Sequence, residues 1–182
     1  LRAVVEPRRA VKYLFEGARR AYLDARAPGK RRVRHRHPPV VSLAGGFLSE
    51  RWRGAAAPSD FDNRSLVKYR LIIDEAGGWD AFQELLGVLS TVAGRHGVSP
   101  SEVAVRWVLD RPGVAAAIVG MRSARHIAAN RAAFGFALDA GDRQQLDSWL
   151  ERHPGPQGDT YSLERIPGGT HASIIKTDLN KE

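Results

Sequence analysis

The chain has 182 residues, 43% of them hydrophobic, and a formal net charge of +8, which is sufficient for one ordinary domain with its own core. It contains no cysteine, which excludes a disulfide framework, a thiolate zinc site and a cysteine nucleophile, and which fits a reducing cytoplasm. No apolar run reaches the roughly 18 residues that would cross a membrane, and the first residues have neither a signal-peptide pattern nor an initiator Met, so we expect a cytoplasmic and truncated chain.

The basic character is confined to the first segment. Residues 1–40 hold 12 of the 28 Lys and Arg and 3 of the 20 Asp and Glu, and the remainder is nearly neutral. Residues 6–26 have apolar positions at helical spacing, but the rest of 1–39 is poorly patterned. Three interpretations stay open: an arm that binds nucleic acid, a solvated tail, or sequence from a non-native reading frame. We favour the last, because Arg, Ala, Pro and Gly dominate the segment and it ends abruptly at residue 39.

Residues 40–97 predict a strand, a glycine turn, a loop and a helix. Val40 to Leu43 is a short apolar run typical of a buried strand, and Gly45-Gly46 follows at once. Residues 50–65 are small and polar and predict a long loop. Residues 79–95 carry apolar side chains at helical spacing, and Gly97 predicts the end of that helix.

Residues 99–182 predict a helix, a strand, two further helices and a tail. Ser99 to Glu102 is a capping box with a proline at the first helical position. Val114 to Val119 predicts a strand buried on both faces, as in a parallel sheet. Ser123 is predicted to cap a helix to about residue 133, and Asp139 another through residue 150. Residues 153–182 predict an irregular tail.

Strands that alternate with helices indicate an α/β fold with a parallel sheet and crossover helices. Only the segments at 40–43 and 114–119 read as strands. Two parallel strands cannot close a barrel and would leave open edges. The pattern therefore predicts part of a larger α/β domain.

The ordered set of motifs resembles the C-terminal part of the aldo-keto reductases, over about residues 40–151. Ser42 to Ser49 is similar to the loop after the family's seventh strand, and the helix at 99–110 to its seventh helix. Ile118 to Ser123 is similar to the eighth strand and the loop that holds the cofactor's adenosine phosphate, and residues 139–150 to the final barrel helix.

This resemblance implies a partial TIM (β/α)8 barrel consisting of the last two strand-helix units, with irregular N- and C-terminal segments. The domain boundaries would be 1–39, 40–152 and 153–182. The implied parent reaction is hydride transfer from NADPH to an aldehyde or ketone, without nucleic acid or membrane as a partner and without a metal. The implied cofactor-binding residues are Ser42, Leu43, Gly45, Gly120, Arg122, Ser123, Arg125, His126 and Asn130.

The residue types at these positions suit an adenosine 2′-phosphate. Glycines let backbone N–H groups approach a phosphate closely. Arg122 offers a planar fork, Arg125 a second positive charge, and Ser123 stands where a helix start favours an anion. The two arginines favour NADP over NAD, which lacks that phosphate.

The sequence also departs from the family pattern. The family's catalytic Tyr, Lys, Asp and His come from the first half of the barrel, and no stretch of this sequence aligns with them. We therefore expect the chain alone to be inactive and its NADP binding to be weak or lost. Met121 stands where a small residue is common and His126 where a glutamine is usual. The alternatives are a non-catalytic protein that binds nucleic acid through its basic arm and an interaction module derived from a decayed enzyme.

Overall fold

A computed structural model describes residues 40–41, 43–61, 63–111, 114, 116–120, 123–156 and 163–174. The predicted helix at 6–26, the basic segment 1–39 and the tail residues 157–162 and 175–182 lie outside these ranges. So do Ser42 and Arg122, and of Arg125 only the helical backbone is described.

The described residues are mostly helical. Five α-helices and two short strands follow one another along the chain: β1 (Val40–Val41), α1 (Arg64–Glu75), α2 (Gly78–His96), α3 (Pro100–Leu109), β2 (Ala117–Ile118), α4 (Arg125–Ala132) and α5 (Ala140–Arg152). Short 3-10 turns add Ala44–Gly46, Glu50–Trp52 and Ala172–Ile174.

The two strands pair in parallel, with Val40 opposite Ala117 and Val41 opposite Ile118. The predicted parallel pairing with crossover helices is therefore confirmed, although each strand has only 2 residues. The expectation that the second strand is buried on both faces is wrong, because Ile118 remains 49% exposed. A sheet of two strands gives β2 only β1 as a neighbour, and the described residues form no closed barrel.

The core lies between helices, with α2 packed against α1, α3 and α5. The predicted apolar stripe of α2 is confirmed as buried from Phe82 through Leu89 to Ala93. Trp149 of α5 is almost fully buried and its indole Nε1 donates to the carbonyl of Ala81, 3.0 Å away. Each fully buried large apolar side chain stabilises the fold by roughly 1.5–3 kcal/mol, so this stripe is the main source of stability.

The local signals for helix ends are confirmed at three positions. Gly97 ends α2 with φ of 64°, a left-handed conformation that favours glycine. The backbone N–H of Ser99 donates to the Glu102 carboxylate at 2.5 Å at the start of α3. At the start of α5, the N–H of Asp142 donates to Asp139 Oδ1 at 2.7 Å. These contacts satisfy backbone groups that a helix end leaves without partners.

The structure differs from the predicted helices at two positions. The polar residues 50–65 predict a loop and no helix after it, whereas α1 occupies Arg64–Glu75. Asn63 begins α1 by accepting from the backbone N–H of Ser65 at 2.8 Å. Ser123 does not cap α4, since Ala124 is the N-cap residue and makes no side-chain cap hydrogen bond.

Asp142 joins the ends of two helices. Its side chain is completely buried and binds Arg95 and His96, both in the last turn of α2. His96 Nε2 lies 2.7 Å from Asp142 Oδ2, and the backbone N–H of Asp139 donates to the same oxygen at 3.1 Å. One carboxylate therefore fixes the start of α5 against the end of α2.

Candidate functional site

The register of the sheet brings two loops to one edge. Because β1 and β2 run parallel, the two strands end at the same edge of the sheet, one after Val41 and the other after Ile118. The loop after β1 contains Leu43 and Gly45, and the loop after β2 contains Gly120 and Ser123. The carboxyl edge of a parallel sheet is where α/β proteins bind ligands. These four sequence-predicted residues therefore lie on the two loops that flank this edge.

The loop after β1 begins with a tight turn, the glycine turn Leu43–Gly46. Its last three residues all have positive φ: 48° at Ala44, 65° at Gly45 and 104° at Gly46. The N–H of Gly46 donates to the Leu43 carbonyl at 2.8 Å, and the hydroxyl of Ser49 donates to the Gly46 carbonyl at 2.7 Å. Backbone with successive positive φ values turns its peptide groups away from the usual directions and can present them to an anion.

Helix α1 packs beside the glycine turn, and helix α3 bonds to Leu48, two residues after it. A Cβ added at Gly45 would lie 3.1 Å from the ring of Tyr69 and 3.3 Å from Leu66, both on α1. The carbonyl of Leu48 accepts from the hydroxyl of Ser101, on α3, at 2.8 Å. Sequence reasoning missed Tyr69, and the apolar spacing of α1 was the signal that could have found it.

The two candidate glycines differ in what the fold requires of them. Gly45 needs its positive φ and its lack of a Cβ, whereas Gly120 has no positive φ and a Cβ there would meet nothing within 4 Å. We expect Gly45→Ala to lower the free energy of unfolding by about 1–2 kcal/mol and Gly120→Ala to change it by less than about 0.5 kcal/mol. Urea denaturation of both variants measures this, and equal losses would contradict the assignment.

The loop after β2 leads directly into α4. Ser123 is exposed, and Ser123 and Ala124 accept backbone N–H groups of the first turn through their carbonyls at 3.1 and 3.0 Å. These carbonyls occupy the N–H groups of His126 and Ile127, and Ala124 has no side chain that could cap the helix. A helix start without a side-chain cap can accept an anion at its remaining N–H groups.

His126 and Asn130 stand one helical turn apart on α4, and both are half-buried. His126 already takes part in another interaction within the protein. The helix packs against α3, and the Arg106 guanidinium donates to the Ala133 carbonyl at 3.4 Å just beyond its end. The two side chains thus share one face of α4, next to the loop that carries Ser123.

An aromatic cluster that the sequence did not predict joins Phe47 to Trp52 and Phe61, two residues of the predicted loop. The Phe47 ring centroid lies 5.0 Å from that of Trp52 and 5.9 Å from that of Phe61. Gln83 of α2 accepts from the N–H of Gly54 at 2.8 Å and donates to the carbonyl of Trp52 at 2.9 Å. The predicted long loop is therefore tied to α2 at two points of its backbone.

The possible metal-ligating side chains of the described residues do not form a cluster typical of a metal centre. No group of three or more His, Cys, Asp or Glu side chains within the described ranges could hold a metal ion. No helix in the part of the chain that the structure describes is both long and apolar enough to cross a membrane.

Comparison with known proteins identifies the family. A 70-residue stretch, 36% of this chain, is 37% identical to flagellar radial spoke protein 5 of Chlamydomonas reinhardtii, of which it covers 13%. The chain therefore spans only a small part of that relative. Residues 39–151 match the aldo/keto reductase family, in agreement with the resemblance seen in the motifs. Since this match covers more than half of the 182 residues, the chain belongs to the aldo/keto reductase family.

Proposed function

We propose that this chain forms the adenosine-phosphate end of an NADP(H) site, in a partial TIM barrel made of the last two strand-helix units of an aldo-keto reductase. Residues 40–152 would be this barrel part, preceded by the basic segment 1–39 and followed by the tail 153–182. The parent reaction would be reduction of an aldehyde or ketone in the cytoplasm. When bound, the nicotinamide supplies the hydride, and the protein supplies position and electrostatics.

The observation that carries the proposal is the glycine pair at one sheet edge. The fold itself explains Gly45, but among the described residues it gives no reason for glycine at position 120, where an added Cβ would have no neighbour within 4 Å. A ligand that approaches the backbone closely is a reason for a glycine in such open space. Gly120 also lies three residues before the exposed Ser123 and the uncapped start of α4. These features fit the phosphate groups of an adenine dinucleotide.

In this proposal each residue has a binding role and none is catalytic. Ser42, Leu43 and Gly45 would contact the cofactor from the loop after β1. Gly120, Arg122, Ser123 and Arg125 would hold the 2′-phosphate, and His126 and Asn130 would lie near the adenine. The catalytic Tyr, Lys, Asp and His have no counterpart in this sequence. The chain would thus bind part of the cofactor without reducing a carbonyl compound.

A fragment of the cofactor tests the proposal without requiring the rest of the barrel. Adenosine 2′,5′-bisphosphate contains the 2′-phosphate, and adenosine 5′-monophosphate lacks it. We expect calorimetric titration of the 182-residue chain to give at least about tenfold tighter binding of the bisphosphate, since a charge-assisted phosphate contact contributes more than 1.4 kcal/mol. We expect Gly120→Ala to weaken this binding while the fold stays intact. Equal affinity for the two nucleotides, or no binding at millimolar concentration, would contradict the proposal.

A further inference from the structure

The C-terminal strap, residues 163–174, lies against helix α1. Its first residue, Leu163, is buried in the core, and its last turn, Ala172–Ile174, contacts α1. Lys68 Nζ of α1 lies 2.5 Å from Glu164 Oε1, with both side chains less than a fifth exposed. Further along α1, Glu75 Oε1 lies 3.1 Å from Nε2 of the buried His171. The strap is therefore fixed to α1 by two ionisable pairs and an apolar anchor.

The two α1 residues that hold the strap share one face. Lys68 and Glu75 are seven residues apart, which is almost two full turns of a helix, so their side chains point in nearly the same direction. The pairs therefore act at both ends of a single helical face. A strap fixed at two separated points restricts both translation and rotation of α1, whereas one pair would leave the helix free to pivot.

The neighbouring face of α1 supports the glycine turn. Tyr69 follows Lys68 directly, and α1 contacts the turn on the side where a Cβ of residue 45 would stand. The space there is narrow, since a Cβ added at Gly45 would lie 3.1 Å from the buried Tyr69 ring and 3.3 Å from Leu66. A small displacement of α1 must therefore move the turn or open a gap beneath it.

We propose that the strap is a positioning element for the glycine turn, acting through α1, with Lys68, Glu164, Glu75 and His171 as positioning residues. The coupling runs from Glu164 to Lys68, through the helix to Tyr69, and from the Tyr69 ring to Gly45. It is a continuous chain of contacts between the strap and the turn. Its consequence for nucleotide affinity rests on the proposed function, whereas its consequence for the rigidity of the turn does not.

A charge-exchange cycle tests this coupling in the full 182-residue chain. Lys68→Glu and Glu164→Lys each place like charges together, and the double variant restores opposite charges. We expect each single variant to raise the hydrogen-exchange rate of residues 43–48 and to weaken binding of adenosine 2′,5′-bisphosphate by about fivefold, the scale of one partly buried ion pair. The double variant should return both quantities toward the wild-type values. A general loss of stability would raise exchange rates throughout the chain, whereas this inference expects the increase at residues 43–48.

A second ion pair of similar burial provides the control. Arg111 and Asp147 are 3.4 Å apart and about as buried as Lys68 and Glu164, but they join the end of α3 to α5. Asp147→Lys should leave exchange at residues 43–48 unchanged. If a charge reversal prevents folding, Glu164→Gln removes the attraction without repulsion and should show the same direction of change.

The outcomes separate this inference from the proposed function. If the wild type does not bind the nucleotide, the proposed function fails, and the exchange rates at residues 43–48 still decide whether the strap positions the turn. If the wild type binds but the single variants leave exchange and affinity unchanged, the strap inference is overturned. It is also overturned if the double variant fails to restore the turn, because direct charge pairing would then not be the cause.

Discussion

Replacing Asp142 with alanine should lower the free energy of unfolding by about 1.5–3 kcal/mol, the scale of hydrogen bonds to a buried charged group whose partners keep some contact with water. The carboxylate is fully buried, and its loss leaves the donors of Arg95 and His96 without their acceptor. It also removes the side-chain acceptor for the N–H of Asp139 at the start of α5. Urea denaturation followed by circular dichroism measures the change. A loss below about 1 kcal/mol, typical of an exposed pair, would contradict this assignment.

The same side chain makes stability depend on acid. Burial raises the pKa of Asp142, but the hydrogen bonds from His96, Arg95 and the Asp139 backbone outweigh it and hold this pKa below its ordinary value. A pKa that is lower in the folded state gives stability that is present above the unfolded pKa and lost as pH falls through the folded pKa. We therefore expect the wild type to lose this contribution below about pH 4. In Asp142→Ala that acid-dependent part should be absent.

Asp147→Ala is the matched control for both measurements. Asp147 also stands on α5 and also pairs with an arginine, Arg111, but its side chain is a quarter exposed. We expect it to change the free energy of unfolding by at most about 1 kcal/mol. Comparable losses in the two variants would mean that burial of Asp142 is not what makes it important.

The helix ends could be predicted because their signals are local. Gly97, Ser99 and Asp139 act on backbone groups within four residues of themselves, so their residue types suffice. Helix α1 had the same kind of signal, with Asn63 before Leu66 and Tyr69, but the preceding polar loop concealed it. The sequence around Asn63 therefore contains the information that specifies the start of α1.

The partners of Asp142 could not be predicted, because they are 46 and 47 residues away along the chain. Its residue type indicated only a favourable charge in the first turn of a helix. The prediction that the second strand is buried on both faces was wrong for a related reason. Exposure of Ile118 depends on what lies against the sheet, and two strands among the described residues leave half of it accessible.

The candidate site could also be predicted only in part. The glycine positions follow from motif spacing, and the parallel register places both loops at one edge, as the alternation of elements predicts. The contact between Gly45 and Tyr69 joins residues that are distant in sequence and becomes visible only in the fold. The roles of Ser42, Arg122 and the Arg125 side chain lie outside the described residues and stay predictions.

Under the proposed function, removing the guanidinium of Arg122 should abolish most of the expected preference for a 2′-phosphate. We expect Arg122→Ala to weaken binding of adenosine 2′,5′-bisphosphate by roughly ten- to hundredfold, since a planar fork on a phosphate forms paired charge-assisted hydrogen bonds. Binding of adenosine 5′-monophosphate should change little, because it has no group at the 2′ position for the arginine to hold. Calorimetric titration of both nucleotides into the variant gives the two affinities.

Arg131→Ala tests whether charge alone explains such a loss. Arg131 is an exposed arginine in the last turn of α4, nine residues after Arg122 in the sequence. Both variants lose one positive charge, and at physiological salt such long-range attraction is largely screened beyond about 8 Å. Only Arg122→Ala should therefore lose selectivity. If both variants weaken the bisphosphate equally, the preference arises from the general field of a basic protein, and the specific phosphate site at residues 120–125 is wrong. If neither does, another residue holds the 2′-phosphate, and Arg125 becomes the next position to replace.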